Sequence, residues 1–360
     1  MSMMGCDNRV DVLDNRCPAC GAKIDFNPVN QKWDCKYCGS KFTLEEMKKY
    51  ENASNDKANT VKQNLPKEEK LNGFDNYRCK SCGAEIMADE TTTATFCVYC
   101  GSTAILKEKI DKGRAPDLII PFKNTKEEAV KAFGKLTKNK PLMPRKFKEV
   151  TNIEKISGVY IPFWAYDIAT DGDIIFSCTD VITWSDSKYH YTKTDRYETT
   201  VKSHFDYEKV LADASSRFKD ELMDSIEPFV FTDLVDYNHA YLSGFLAEKY
   251  DVEEDEAFVR ANDRTMNTCI DLASGECKHM SKSVKNNNLK LKKTNTYHIM
   301  LPVWMVNIKY NEKIYTFAMN GQTGKMVGDI PIGRKETFIW TVIVFIILLI
   351  VGYLFSLLIW

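Results

Sequence analysis

A four-cysteine spacing that occurs twice constrains this chain more than any other feature. Cys17-Pro-Ala-Cys20 is followed after fourteen residues by Cys35-Lys-Tyr-Cys38. Cys79-Lys-Ser-Cys82 is followed, again after fourteen, by Cys97-Val-Tyr-Cys100. The second set is the first displaced by 62 positions, and 11 of the 25 residues in 16–40 recur in 78–102, including Arg16/Arg78, Ile24/Ile86 and Tyr37/Tyr99. Zinc takes four soft ligands in a tetrahedron, and two thiolates two residues apart on a tight turn supply half of them. Gly21, Gly39, Gly83 and Gly101 follow the second Cys of each pair, where such a knuckle needs a backbone tolerant of positive φ. Each set therefore reads as a complete zinc ribbon, a hairpin between two knuckles. Cys17, Cys20, Cys35 and Cys38 are the ligands of one structural site, and Cys79, Cys82, Cys97 and Cys100 of the other. A module this small buries too little apolar surface to fold alone, and structural zinc supplies on the order of 10 kcal/mol. Rubredoxin-like iron would use the same thiolates. With four Cys and no open position, both sites are expected to be structural and not catalytic.

Eight of the 12 cysteines fall in these pairs, which is not the scattered spacing of a secreted disulfide framework. Charge argues against the ribbons gripping nucleic acid. Residues 1–50 carry eight Lys/Arg against seven Asp/Glu, and 71–113 five against six. Phosphate neutralisation needs clustered basic residues, and four thiolates around zinc add negative charge at each site. Contact with protein is the expectation.

The far end sets a second constraint. Phe338 to Trp360 is an uncharged run of 23 residues, polar only at Thr341 and Ser356, with Trp340, Tyr353 and Trp360 near its ends. As a helix it would be about 35 Å long, enough to cross a hydrocarbon core of roughly 30 Å. Arg334 and Lys335 precede it and nothing follows Trp360. Positive flanks stay cytoplasmic, so the expected topology is a single-pass tail anchor in the cell membrane with a cytoplasmic N-terminus. No apolar run precedes Cys6, so no lipoprotein signal is expected.

The expected fold is multi-domain. Ribbon 1 (1–50) and ribbon 2 (77–113) flank a polar linker (51–76) that would let them move independently. An antiparallel α+β domain follows (114–332), then the transmembrane helix (337–360). Within the α+β domain, Thr125-x-x-Glu128 opens a helix to about Lys138, and 216–226 and 254–272 read as further helices. Asp171-Gly172 and Asn311-Glu312 read as turns of two related hairpins, because Pro162/Pro302, Trp164/Trp304, Ile168/Ile308 and Ile174/Ile314 match at an offset of 140.

Several tempting sites dissolve on inspection. Asp167, Asp171 and Asp173 are explained by turn chemistry without calcium. The segment 320–325, NGQTGK, lacks the first glycine and the Ser/Thr of a phosphate loop, since Met326 stands in that place. Cys269, Cys277 and His279 lack a fourth partner, and no nucleophile–base pair is recognisable, so no catalytic residue and no enzyme activity are expected. Charge is uneven: 123–155 holds ten Lys/Arg against four Glu, 278–293 six Lys and no acid, and 251–256 five acids. Such stretches are solvated surface or face anionic lipid beside the anchor.

The combination of RCxxCGAxI…CxYCGS ribbons with KGRAPDLIIPF, GVYIPFWAYD, NGQTGKMVGDIPIG and a terminal apolar helix resembles a family of tail-anchored bacterial membrane proteins. Those proteins are found in Firmicutes and relatives and carry transcription factor IIB-type zinc ribbons. Some relatives are associated with envelope-stress systems, beside phage-shock protein A-like and stomatin/flotillin-like proteins. The resemblance covers the whole chain. It implies a membrane-bound adaptor that recruits cytoplasmic proteins, with the eight ribbon cysteines as Zn2+ ligands. The alternative is a membrane-tethered nucleic-acid-binding or transcription-linked factor that uses the basic stretches 123–155 and 278–293.

Overall fold

The structure is a computed structural model, which describes residues 17–22, 24–50, 74–79, 85–89, 105–107, 114–150 and 156–359. It divides into two compact units. The first takes in residues up to Ile161, Arg217–Lys249 and everything from Met300 onward; the second is Pro162–Ser216 with Tyr250–Ile299.

In the first unit a small antiparallel sheet of β1 (Asp25–Asn27), β2 (Lys32–Asp34) and β3 (Lys41–Phe42) is followed by α1 (44–50). Thr43 and Glu46 exchange the bonds of a capping box at its start: the Thr43 N–H donates to Glu46 Oε2 at 2.7 Å, and the Glu46 N–H donates to Thr43 Oγ1 at 3.4 Å. β4 (Phe74–Cys79) pairs with both β5 (Glu85–Asp89) and β6 (Ile105–Lys107). β7 (Leu118–Ile119) leads to α2 (Lys126–Thr137), which carries the expected Thr125/Glu128 capping box and stops at Lys138. α3 (Arg145–Val150) follows.

The first unit is not a row of loose modules. Cys17, Ile24, Phe26, Trp33, Cys35 and Met47 of the first ribbon share one apolar core with Phe122, Phe147, Tyr160, Tyr241 and Phe317. Trp33 is fully buried, and its indole N–H donates to the Ala240 carbonyl at 2.8 Å. Phe26, Trp33 and Tyr241 form a three-ring cluster with centroids 5.0–5.3 Å apart. The Ser243 hydroxyl donates to the Ile24 carbonyl, and Gln31 Nε2 donates to the Phe122 carbonyl at 2.9 Å. β5 likewise hydrogen-bonds to β11 (Leu246–Glu248), Ala247 opposite Met87. The independent movement expected of the first ribbon is thus corrected by what the linker sequence does not report. The first ribbon's apolar face has a partner more than 200 residues away, and burying Trp33 there outweighs tethered freedom.

β8 (Ser157–Ser185) and β13 (Lys290–Tyr310) each run through the division between the units. β11 lies parallel to β8, Leu246 opposite Val159, so the sheet is not purely antiparallel. β13 turns at Asn311-Glu312 into β14 (Lys313–Asn320), both turn residues having positive φ (49° and 60°) as the hairpin reading requires. Beyond β14 comes β15 (Met326–Gly328).

The other expected turn is not there. β8 passes straight through Asp171-Gly172 and turns only at 186–189 into β9 (His190–Asp213), so that Gly172 pairs with Ser203 in mid-strand. Gly172 answers a different need. Its φ is +145°, and a Cβ there would lie 2.5 Å from the Asn288 carbonyl oxygen and 2.9 Å from Leu289 Cα. It lets the connection between β12 (Ser281–Asn287) and β13 cross close to the strand. Asp-Gly signals a hairpin and a close approach equally well, and here the close approach wins.

The two hairpins nonetheless start alike. Phe163 pairs with Asp213 and Val303 with Asn320. The Pro162 carbonyl accepts from Ala214 at 3.0 Å and the Pro302 carbonyl from Gly321 at 2.8 Å. Trp164 and Trp304 each donate their indole N–H to a backbone carbonyl, of Val252 and Asn124 respectively.

In the second unit the helix is longer than its sequence pattern suggested, Glu254–Glu276 (α5), and buries Ala257, Ala261, Thr265, Cys269 and Ala273 at intervals of four. Its lower turns cover Ile174, Phe176 and Cys178 of β8. Arg260 pairs with the buried Asp213 at the end of β9. The helix expected over 216–226 is shorter, Asp220–Ser225 (α4, in the first unit).

Candidate metal centre

Two knuckles of the same build hold the first four cysteines. In one, the Cys17 carbonyl accepts from Gly21 at 2.8 Å and the Cys17 N–H donates to Ala22 at 2.7 Å. In the other, Cys35 accepts from Gly39 and donates to Ser40, both at 2.9 Å. Gly21 and Gly39 have φ of 72° and 75°, a region a side chain avoids. The β1–β2 hairpin carries the second knuckle back to the first, with Phe26 paired to Trp33.

The four Sγ atoms all lie within 4.8 Å of one another, Cys17 to Cys38 and Cys20 to Cys35 each at 3.6 Å. Four thiolates at 2.3 Å from a tetrahedral ion stand about 3.8 Å apart, so this donor set fits a metal of that kind. Cys17 and Cys35 are buried, Cys20 and Cys38 exposed. Without a cation the cluster is electrostatically divided. Hydrogen bonds from Ser40 pull the Cys38 thiol down to about 6. The Ala22 N–H acts to lower Cys20, but burial and the adjoining Cys38, Cys17 and Cys35 outweigh it and push that thiol up to about 12. Four sulfurs this close cannot all ionise unless a cation sits among them.

Of the second set, Cys79 closes β4, opposite Ile105 of β6. Cys82, Cys97 and Cys100 lie outside the described residues.

Over 336 residues the chain is 35% identical to the uncharacterized protein YdjG of Bacillus subtilis (strain 168), which covers 91% of this chain and 93% of that one. The chain belongs to the YdjG family. No family model matches, and no solved structure does. The phrases that run through this YdjG-family chain outside the ribbons meet in one place. Phe122 stacks on Phe245 at 4.1 Å and lies against Tyr160 and Trp304. A Cβ on Gly321 would strike the Phe122 ring at 2.6 Å.

The segment 320–325 is a structural turn, as its lack of phosphate-loop residues indicates. Gly324 takes φ +78°, the Asn320 amide donates to Ile226 and Pro228 carbonyls, and Gln322 bonds both the N–H and carbonyl of Val230. Cys269 and Cys277 are buried in the second unit's core with Cys178. His279 is bonded to Asp180 at 2.9 Å and stacked on Tyr197. Asp167, Asp171 and Asp173 are separated along β8 and bonded to different partners, Lys209, His204 and Asn288 among them.

At the other end α6 (Arg334–Ile359) is long and apolar enough to cross a membrane, and none of its apolar stretch is buried.

Proposed function

We propose that this protein is a membrane-anchored adaptor in which two structural zinc sites stiffen contact modules that recruit cytoplasmic proteins to the bilayer. The observation that carries the reading is a closed four-thiol cluster in the same chain as a solvent-bare apolar helix. The cluster leaves no open coordination position for a substrate, and the helix supplies a location. Two further features support it. Tyr37, inside the second knuckle, is 84% exposed although its neighbours Cys35 and Trp33 are buried. An exposed aromatic on a rigid turn is the kind of anchor that dominates protein interfaces. The β8–β9 hairpin also runs on past the end of α5, where Trp184 and Tyr191 stack in the open at 5.4 Å.

In this reading Cys79, Cys82, Cys97 and Cys100 hold the second zinc, and the body faces the cytoplasm with Arg334 and Lys335 at the membrane surface. Partners of the phage-shock protein A or stomatin/flotillin kind are the expectation that the family resemblance brings. A crosslinked pull-down of the intact protein from membranes, with and without nuclease, tests the proposal. Protein partners that survive nuclease and are lost with Tyr37→Ala or Cys79→Ser/Cys82→Ser support it. Capture that disappears with nuclease alone sinks it in favour of a tethered nucleic-acid binder. Metal analysis of purified protein is expected to give two zinc per chain, falling to one in Cys79→Ser/Cys82→Ser.

A further inference from the structure

The two basic stretches that look alike in sequence differ in the structure. In 278–293 three of the six lysines are answered: Lys285 pairs with Glu198, Lys293 with Glu254 and Asp255 at 2.9 and 3.1 Å, and Lys282 caps the Ser274 and Cys277 carbonyls. Of the acids of 251–256, Glu254 and Asp255 are thus engaged by that stretch, and Asp251 accepts from the N–H and hydroxyl of Ser216.

The stretch around 138–146 is placed otherwise. The Gly333 N–H donates to the Leu142 carbonyl at 2.8 Å, and a Cβ on Gly333 would lie 3.1 Å from Pro144. Gly333 is the residue immediately before α6, so this loop is fastened to the root of the apolar helix. Lys138, Lys140, Arg145 and Lys146 are all exposed there, as are Arg334 and Lys335 on the helix's first turn. None of the six is in an ion pair with a carboxylate among the residues whose side chains are described. Leu142 and Ile332 are exposed beside them.

We propose that these six cations form a collar that binds anionic phospholipid headgroups around the root of α6. Unpaired cations held within a few residues of a membrane crossing experience the negative surface potential at full strength, inside one Debye length. The exposed leucine and isoleucine suit the apolar side of the headgroup layer. Lipid is favoured over nucleic acid because the backbone bond to Gly333 fixes the collar at the bilayer and not on a free face. The proposal rests on α6 crossing the membrane, and that premise is read first in the experiment.

The full-length protein is reconstituted in vesicles of phosphatidylcholine containing roughly one-fifth phosphatidylglycerol. Flotation of the vesicles reports insertion. Polymer discs are then cut around the protein, and their lipid ratio is measured by mass spectrometry. The expected result is an enrichment of up to about one phosphatidylglycerol per collar cation in each disc over the bulk ratio, abolished by 0.5 M salt. It should fall by about two-thirds in Lys138→Gln/Lys140→Gln/Arg145→Gln/Lys146→Gln, which keeps Arg334 and Lys335, and persist in Lys138→Arg/Lys140→Arg/Lys146→Arg. Protein that fails to float removes the premise and the collar with it. Protein that floats with a bulk lipid ratio overturns the collar alone. Loss of the enrichment on adding a short duplex DNA, with the DNA retained on the discs, overturns the choice of lipid.

Discussion

Two glycines show how differently one residue type is used. Gly172 sits where a Cβ would strike the Asn288 backbone, and its φ of +145° is closed to side chains. Gly172→Ala is expected to destabilise the protein by about 2–5 kcal/mol through overpacking and strain together. Gly134 lies in α2 with nothing within 4 Å of its Cβ position, so Gly134→Ala should stabilise by about 0.5–1 kcal/mol. Thermal unfolding of the two variants in detergent checks the pair. Asp233 carries a pH dependence. The Lys123 ammonium at 2.6 Å, and after it Gln322, hold its carboxyl below the usual range. A depressed folded-state value means that the contribution is present above pH about 4 and is lost as pH falls through the folded value. The unfolding midpoints of wild type and Asp233→Asn should therefore differ near neutrality and converge in acid. At this scale the cysteines and their glycines were legible in the sequence, because knuckle geometry is local. Asp171-Gly172 reads as a turn in the sequence because the reason for the glycine, the chain at Asn288 and Leu289, lies more than 100 residues away.

The ribbon is the element on which the most hangs. Its four-thiol cluster and its hydrophobic dock share the β1–β2 hairpin, since Trp33 lies two residues before Cys35 and buries against Tyr241. Trp33→Ala is expected to cost about 3–5 kcal/mol, and Trp33→Phe about 1 kcal/mol for the lost bond to Ala240 plus a small cavity. Removing the metal with a strong chelator should expose Trp33, seen as a red shift in its emission, in wild type but not in Trp33→Phe. An unshifted spectrum would mean that the dock holds without the metal. Spacing alone revealed the hairpin and both knuckles. The dock was invisible to it, since Trp33 in mid-ribbon and Ala240 in a distant loop have no shared pattern. The β8–β9 hairpin was half legible. Its starting register follows from Pro162 and Trp164, but its length does not, because a strand that alternates on both sides of Gly172 gives no sign of whether it stops there.

At the scale of the whole molecule, charge resolves what composition averages away. A net charge of −1 hides acids at 254–255 that answer Lys293 and a separate group of cations that meet no carboxylate among the described side chains. Protease treatment of sealed vesicles should digest everything before Arg334 and spare a fragment of about the length of α6 if the body faces outward from them, and the same treatment of cells should spare the body. Deleting 334–360 is expected to free the protein from the membrane fraction without releasing its ribbon metal. The apolar run and its flanks were plain in the sequence. That the loop at 142 is fastened to the root of that run was not, because a single backbone hydrogen bond across 191 positions leaves no compositional trace. That bond has a mechanical meaning. A body hung from a slack leash tumbles and offers every side in turn, whereas one mounted on a stiff post can only spin about the post and drift sideways. In the proposed membrane-anchored arrangement the post is clamped at its base, so an encounter in the plane of the membrane meets the same few faces of the first unit at the same height each time.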